Sequence, residues 1–452
     1  MGCACAGEIR LASNVRLWGW MADSSADPAM EKIIRAKRGA LDYYRGLGFT
    51  HILYFIDSPY APLFRKTAAG WIYNGGAYAA GDHSLSLARM KKETEARGMV
   101  LVPAMTSLSH MDAYIAMDSS ISEFDRKNPR PHPPWTWPAA GKQAYAKYDG
   151  IAAAGPLGRN PGADQFFREY LRIIKAVWTA DGNADGHPPF ILIGHDELGY
   201  NEICLIKAGK SRHRPETKAA LVAEEIHARA VQVAEIVDSS TSLLLFGDSF
   251  VPGDYGETYG LAGDAKTGAA GTLRILRDRF RLKDKLVVIP WIYSSLESDG
   301  KDRYRNVVLS KAKQLGYLDR LGYSYLIGAG EDGQEPFSPP VDRTLQSLFE
   351  WVRESRHYQA HRRGYAHMSF NNFETCQPQS DSLLPLCSGY SAPLLAYLAW
   401  SQAGGLPDGS FPKEYSPEVF RGVDFRKSRW EEKWQAGRHY PAPPKDSGSI
   451  RR

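Results

Sequence analysis

A chain of 452 residues with 43% hydrophobic and 24% charged side chains has the composition of a folded globular protein, which excludes a disordered or fibrous polymer. Its 56 Lys and Arg are interspersed with 51 Asp and Glu, and the net charge of +5 carries no nucleic-acid footprint. No run approaches the ~20 apolar residues that a membrane span needs.

No apolar leader is recognisable near the amino end, so a cytoplasmic protein and a secreted or periplasmic one with its leader removed are both open. Met1-Gly2-Cys3 is similar to an acylation site, but Ala6 stands where that motif wants Ser or Thr. Residues 1–14 read as a loose N-terminal segment. Cysteines stand at positions 3, 5, 204, 376 and 387, with no CxxC pair or Cys/His spacing of a structural zinc. Cys376 and Cys387 are either bridged or free thiols. Neither the oligomeric state nor the compartment is legible.

Apolar, β-branched or aromatic runs of strand length recur along the chain, each followed by a loop and a stretch of helical period. The predicted strands are Val15–Asp23, Phe49–Asp57, Met99–Thr106, Phe190–Asp196, Ser242–Ser249, Leu286–Tyr293, Tyr323–Gly328 and Tyr365–Asn371. Pro28–Leu47 carries Met30, Ile33, Ile34, Leu41 and Tyr44 at helical spacing and stops at Gly48. Ser84–Arg97, Ala163–Thr179, Pro215–Val237, Thr267–Arg281, Arg305–Leu321, Asp342–Gln359 and Ser382–Trp400 have the same character. Continuous apolar strands alternating with helices predict a parallel sheet covered on its outside.

Eight repeats of that unit predict an α/β chain closed as a single (β/α)8 TIM barrel over residues 15–403. No Gly-rich dinucleotide loop follows the first strand to favour an open sheet. The long connections, 58–83, 107–162 and 250–266, all follow strands, as in barrels whose sites are built from the loops at the strands' carboxyl ends. Residues 404–452, rich in Pro, Lys and Arg with Trp430 and Trp434, read as a C-terminal tail that packs on the barrel or frays.

The strongest local signal is Phe190-Ile191-Leu192-Ile193-Gly194-His195-Asp196-Glu197. An apolar strand running into Asp-Glu delivers two carboxylates to a barrel rim. Side chains alternate along a strand, so both acids serve one site only if Glu197 already begins the loop. Neighbouring carboxylates separate in pKa, leaving one protonated and one ionised. Glycosidic cleavage uses that split: an acid for the leaving oxygen and an anion beside the developing positive charge. A helix cap or a salt bridge is the plain alternative for the same dipeptide. The 11 Trp, 24 Tyr and 17 Phe lean the same way, since aromatic faces stack on sugars, although cores and interfaces use them too.

Here the chain resembles the family-20 glycoside hydrolases, the β-N-acetylhexosaminidases, whose fourth strand ends in His-x-Gly-Gly-Asp-Glu; Ile193-Gly194-His195-Asp196-Glu197 is similar, with His195 replacing the second Gly. Trp18-Gly19-Trp20-Met21-Ala22-Asp23 resembles the family's Arg-Gly-x-Met-Leu-Asp first strand. Arg97-Gly98-Met99-Val100-Leu101-Val102-Pro103, followed by Ser109-His110, parallels its third, and Asp57 closes the second strand near the family's first-loop Asp. The resemblance covers about residues 15–375. It implies that Glu197 is the general acid and base, and that Asp196 orients the substrate's own 2-acetamido group as nucleophile. His110 and Asp57 would form a relay behind Glu197. It also implies that Trp291 walls the sugar subsite and Tyr293 reaches the acetamido oxygen, with Trp291 as barrel packing the competing reading. Asp248, Asn371 and Glu331 are further polar candidates, with Glu331 and Asp332 in the loop after the seventh strand.

The chain departs from the family where the terminal sugar is clamped. The first-strand Arg is Trp18 here, which cannot fork onto hydroxyls as a guanidinium does. Ala104 and Thr106 replace the acidic residues of the third strand, and Phe246-Gly247 stands where the fifth usually has Trp. The expectation is a retaining β-N-acetylhexosaminidase-like hydrolase acting on a carbohydrate substrate, with no metal or organic cofactor, no nucleic-acid partner and no membrane span. Two rivals stand beside it. One is a conventional retaining β-glycosidase with a nucleophile such as Glu331 or Glu374; the other is a barrel that binds glycan without turnover.

Overall fold

The computed structural model describes residues 9–13, 41, 45, 49–55, 64–68, 70–73, 87–105, 107, 161–194, 215–252, 261–264, 268–291, 303–331, 351 and 354–369. Eight of its strands are parallel: β1 (Ile9–Ser13), β2 (His51–Phe55), β5 (Val100–Ala104), β6 (Phe190–Leu192), β7 (Ser242–Phe246), β10 (Leu286–Ile289), β11 (Ser324–Glu331) and β12 (Arg362–Ser369). They are hydrogen-bonded in that order, and β12 pairs in turn with β1, so the sheet curls round on itself. Helices α1 (Leu87–Glu95), α2 (Pro161–Trp178), α3 (Pro215–Ile236), α4 (Thr272–Asp278) and α5 (Arg303–Leu321) fall between strands. The observed class is therefore α/β, a curled parallel sheet with helices. Among the described residues no helix is long and apolar enough to cross a membrane.

The expected strands recur from the second onward, two of them reaching outside their predicted ranges: β11 runs on to Glu331 and β12 begins already at Arg362. The first does not. It is Ile9–Ser13, inside the segment read as loose, whereas Val15–Asp23 lies outside the described residues. Its alternating pattern is weak in isolation; pairing to β2 and β12 makes it a strand, which is how context overrides propensity. Thr267–Arg281, expected to be helical throughout, opens instead with a short hairpin of β8 (Gly263–Asp264) and β9 (Ala269–Ala270) before α4. Gly268 takes a φ of 75°, and a Cβ on Gly271 would lie 2.3 Å from the Ala262 carbonyl, so the glycines are what permit the crossing. A second hairpin, β3 (Phe64–Thr67) with β4 (Gly70–Tyr73), occupies the loop after β2. The stretches Pro28–Leu47 and Asp342–Gln359 lie mostly, and Ser382–Trp400 wholly, outside the described residues.

The core has two layers. Leu53, Val102, Ala104, Leu192, Leu244, Phe246, Val287, Ile289, Leu326 and Ala366 come from seven strands at two-residue spacing and pack as one cluster. Side chains from so many strands meet only inside the curl. The intervening Ile52, Leu101, Ile191, Leu243, Leu245, Val288, Tyr325, Ile327 and Tyr365 are equally buried, on the face turned to the helices. At the amino end, Phe190 packs against the inner cluster and meets His51 edge-on at 5.9 Å, while burial lowers the His51 pKa to about 4.

The helices either side of β6 are joined by an ionic cluster. On α3, Arg229 donates to Glu225 at 2.6 Å and to Gln232 at 2.7 Å; across the interface it reaches Asp164 of α2 at 3.1 Å. Its guanidinium also lies 4.8 Å from the centre of the Phe167 ring. Glu225 is fully buried and Arg229 nearly so, so each charge depends on its partner to offset desolvation. Arg229→Met strands two acids in that interface and is expected to lower stability by about 3–5 kcal/mol. A loss under 1 kcal/mol in urea titration would contradict it.

His367 of β12 is wholly buried beside Phe49, ring centres 6.3 Å apart, and burial pushes its pKa down to about 3. Between about 3 and 6.5 the unfolded chain holds a proton there that the folded chain refuses. The stabilising contribution is therefore complete above pH 6.5 and is lost as pH falls toward 3. His367→Gln is expected to shrink the stability difference between pH 7 and pH 5 by about 2 kcal/mol. Parallel pH dependences for the two proteins would refute it.

Candidate functional site

The carboxyl ends of β5, β6, β7 and β10 meet on one rim, and β6 departs from the regular ladder there. The Ile193 N–H donates to the Leu244 carbonyl at 3.1 Å. In a regular parallel pair the Phe246 N–H would next donate to Ile193. It donates instead to Gly194, at 3.0 Å, so β6 carries one residue more than β7 opposes. Gly194 accommodates this with a φ of 73°, a conformation that costs other residues steric strain. The displaced Ile193 carbonyl turns to the other neighbour, where the Ser107 hydroxyl, nearly inaccessible to solvent, donates to it at 2.8 Å. Just before that bond the Met105 N–H still pairs with the Leu192 carbonyl at 3.0 Å, so the serine takes over where the β5–β6 ladder ends.

Opposite, the Gly247 N–H donates to the Ile289 carbonyl at 2.8 Å, and the Gly247 carbonyl accepts from Phe250 and Val251 in a tight turn. That turn holds Asp248, fully buried, with the Ser249 hydroxyl donating to its Oδ2 at 3.1 Å. Past the end of β10, Trp291 lies two positions beyond Ile289, half-buried, and packs on the inner apolar cluster while bridging to Gly328. Pro290 passes between two glycines. A Cβ on Gly247 would lie 2.9 Å from Val288 Cγ1 and 3.0 Å from Pro290, and one on Gly328 would lie 2.7 Å from the Pro290 carbonyl. Gly247 and Gly328 thus approach the Pro290 backbone too closely to carry a side chain.

Of the sequence-predicted site residues, Asp248 and Trp291 are thus brought to neighbouring strand ends. Glu331 is the last residue of β11, paired with Ser369, rather than part of the loop after it. Asp196, Glu197, His110, Asp57, Trp18, Tyr293 and Asn371 lie outside the described residues. The first two follow directly on the described end of β6, with only His195 between Gly194 and Asp196. Among the described residues no group of three His, Cys, Asp or Glu side chains is arranged to hold a metal ion. Ser107 was not singled out from the sequence, and its partner lies 86 residues away, so no local pattern announces it. Gly194 did carry a signal, because a lone glycine in a strand marks a bulge or a close backbone approach.

No protein-family model and no curated protein sequence matches this chain. Among solved structures it is similar to the GH20 β-N-acetylhexosaminidase of Streptomyces coelicolor A3(2), at 11% identity and a TM-score of 0.47, over 97% of this chain and 71% of that one. It is similar to the N-acetyl-β-hexosaminidase of Streptomyces plicatus at 10% identity and a TM-score of 0.44, over 97% and 70%. It is also similar to an exo-β-1,4-mannosidase from Opitutaceae bacterium strain TAV5, at 13% identity and a TM-score of 0.44; there it covers 88% of its own length and 59% of the mannosidase.

Gly328→Ala drives a methyl into the Pro290 carbonyl and is expected to lower stability by about 1–3 kcal/mol. Gly247→Ala, which meets a movable valine methyl as well as Pro290, is expected to cost less. Equal denaturation midpoints for Gly328→Ala and the parent would show that the approach is looser than described.

Proposed function

We propose that this chain is a glycoside hydrolase on a complete (β/α)8 barrel that ends near residue 403, with residues 404–452 as a tail, cleaving a β-linked N-acetylhexosamine with retention. Glu197 protonates the glycosidic oxygen as the acetamido oxygen of the substrate attacks the anomeric carbon, which breaks the bond and forms an oxazolinium ion. The Glu197 carboxylate then takes a proton from water as the water opens that ion. Asp196 orients the acetamido group and balances its developing positive charge, while His110 and Asp57 form the relay behind Glu197. Trp291 and Tyr293 wall the sugar, and Asp248, Asn371, Glu331 and Trp18 contribute at its edge.

The observation that supports this reading is the bulged end of β6. It lies on the rim where Trp291 and the buried Asp248 also stand, Asp196-Glu197 follow it in the sequence, and the carboxyl rim is where barrels of this kind do their chemistry. One observation favours a second reading: β11 extends to Glu331, so a carboxylate stands at the end of the seventh strand in chain order. An acid on the fourth strand and a nucleophile on the seventh would make a conventional retaining glycosidase, which needs no acetamido group.

The test uses 4-nitrophenyl N-acetyl-β-glucosaminide beside the matching β-glucoside and β-mannoside. Hydrolysis confined to the acetamido sugar, and lowered about 10²–10⁴-fold by Glu197→Gln, is the expected result. Activity within tenfold of the parent ends the Glu197 assignment. Turnover of the plain glycosides, abolished by Glu331→Gln, selects the second reading. Binding without release of nitrophenol identifies a glycan-binding barrel.

A further inference from the structure

We propose that Ser107 is a positioning residue for this reaction: it locks the extra residue in β6 and thereby sets the register at which the chain enters Asp196-Glu197. The inference rests on the glycosidase reading of the same site. Two hydrogen-bonding patterns are open to this strand end, and they differ by one residue. In the regular one the Phe246 N–H would donate to the Ile193 carbonyl; in the observed one it donates to Gly194 at 3.0 Å, and the Ile193 carbonyl accepts from the Ser107 hydroxyl at 2.8 Å. A carbonyl turned toward Ser107 beyond β5 points away from β7, so the two patterns need different orientations of the Ile193 peptide. Ser107 therefore favours the bulged pattern, and it does so from a buried position just beyond the neighbouring strand, where losing a donor is costly.

A one-residue slip moves whatever follows by one strand step, roughly 3.3 Å, and exchanges the faces of the sheet. No group at the acid-base position tolerates such a displacement, since errors near 1 Å already cost about 100-fold. Sugar contacts from other strands, Trp291 after β10 and Asp248 after β7, stay where they are. The signature is consequently a loss in turnover with binding retained.

The experiment compares Ser107→Ala, Ser107→Thr and Ser107→Cys with the parent on 4-nitrophenyl N-acetyl-β-glucosaminide, with Glu197→Gln alongside. Ser107→Ala is expected to lower kcat by about 10–100-fold with KM within about threefold, and to move the limb of the kcat–pH profile that reports the general acid. Ser107→Thr keeps the donor and is expected to restore both; Ser107→Cys, a weak donor, falls between. Parental kcat and an unmoved profile in Ser107→Ala overturn the proposal while leaving the glycosidase reading intact, provided Glu197→Gln is dead. If Ser107→Ala does not fold, the Thr and Cys variants decide: equal kcat in the two overturns the proposal, and a Cys variant at least fivefold slower than Thr with the same thermal midpoint supports it. Full activity in Glu197→Gln, or no hydrolysis by the parent, sinks the glycosidase reading and this inference with it.

Discussion

A peptide carbonyl inside a parallel sheet is held by whichever donor reaches it, and at Ile193 a serine hydroxyl from one neighbour takes the place that the other neighbour's N–H would fill. The rim depends on that exchange. It lets β6 hold one residue more than its partner and turns the backbone through Gly194, two positions before Asp196 in the sequence. On either side the ladders remain regular: β5 pairs with β6 at Ala104 and Leu192, and β7 with β10 through Phe246 and Ile289. A second register shift lies between Tyr325 and Leu326, where β11 pairs with β12.

The two ends of the curl are built differently. At the amino end the entry of β6 is pinned to that of β7: Thr241 donates to the Pro188 carbonyl at 2.8 Å, Ser242 to Pro189 at 3.0 Å, and His187 and Ser240 hydrogen-bond at 2.8 Å. Lys175 and Lys285 donate to the Val237 and Ser239 carbonyls beside the carboxyl end of α3, where cations suit the helix dipole. These contacts tie loop to loop. At the carboxyl end, glycines and a proline draw strands together under Trp291, and a buried carboxylate closes a turn.

Ser242–Phe246 and Leu286–Ile289 were legible because each is a continuous apolar run, which a strand buried on both faces requires. Helix α2 was legible because Phe166, Phe167, Tyr170, Leu171, Ile174 and Trp178 repeat at helical spacing, and those residues are the ones buried. Ile9–Ser13 was not legible. Arg10 and Ser13 interrupt it, and the more apolar, tryptophan-rich stretch that follows is the better strand on composition alone. The glycines of the β8–β9 hairpin were equally silent, since a period of hydrophobic residues counts side chains and takes no account of backbones that nearly touch.

Periodicity and composition were thus enough for the α/β class, the order of the described helices and of the strands from the second onward, and the rim on which Asp248 and Trp291 fall, because burial on two faces leaves a mark at every second or fourth position. Packing alone decided which five residues begin the sheet, that β6 holds an extra residue, and that Ser107 and Gly194 stabilise it. Those choices turn on hydrogen bonds between segments far apart in the chain, and no local pattern of side chains encodes which distant donor a given carbonyl will meet.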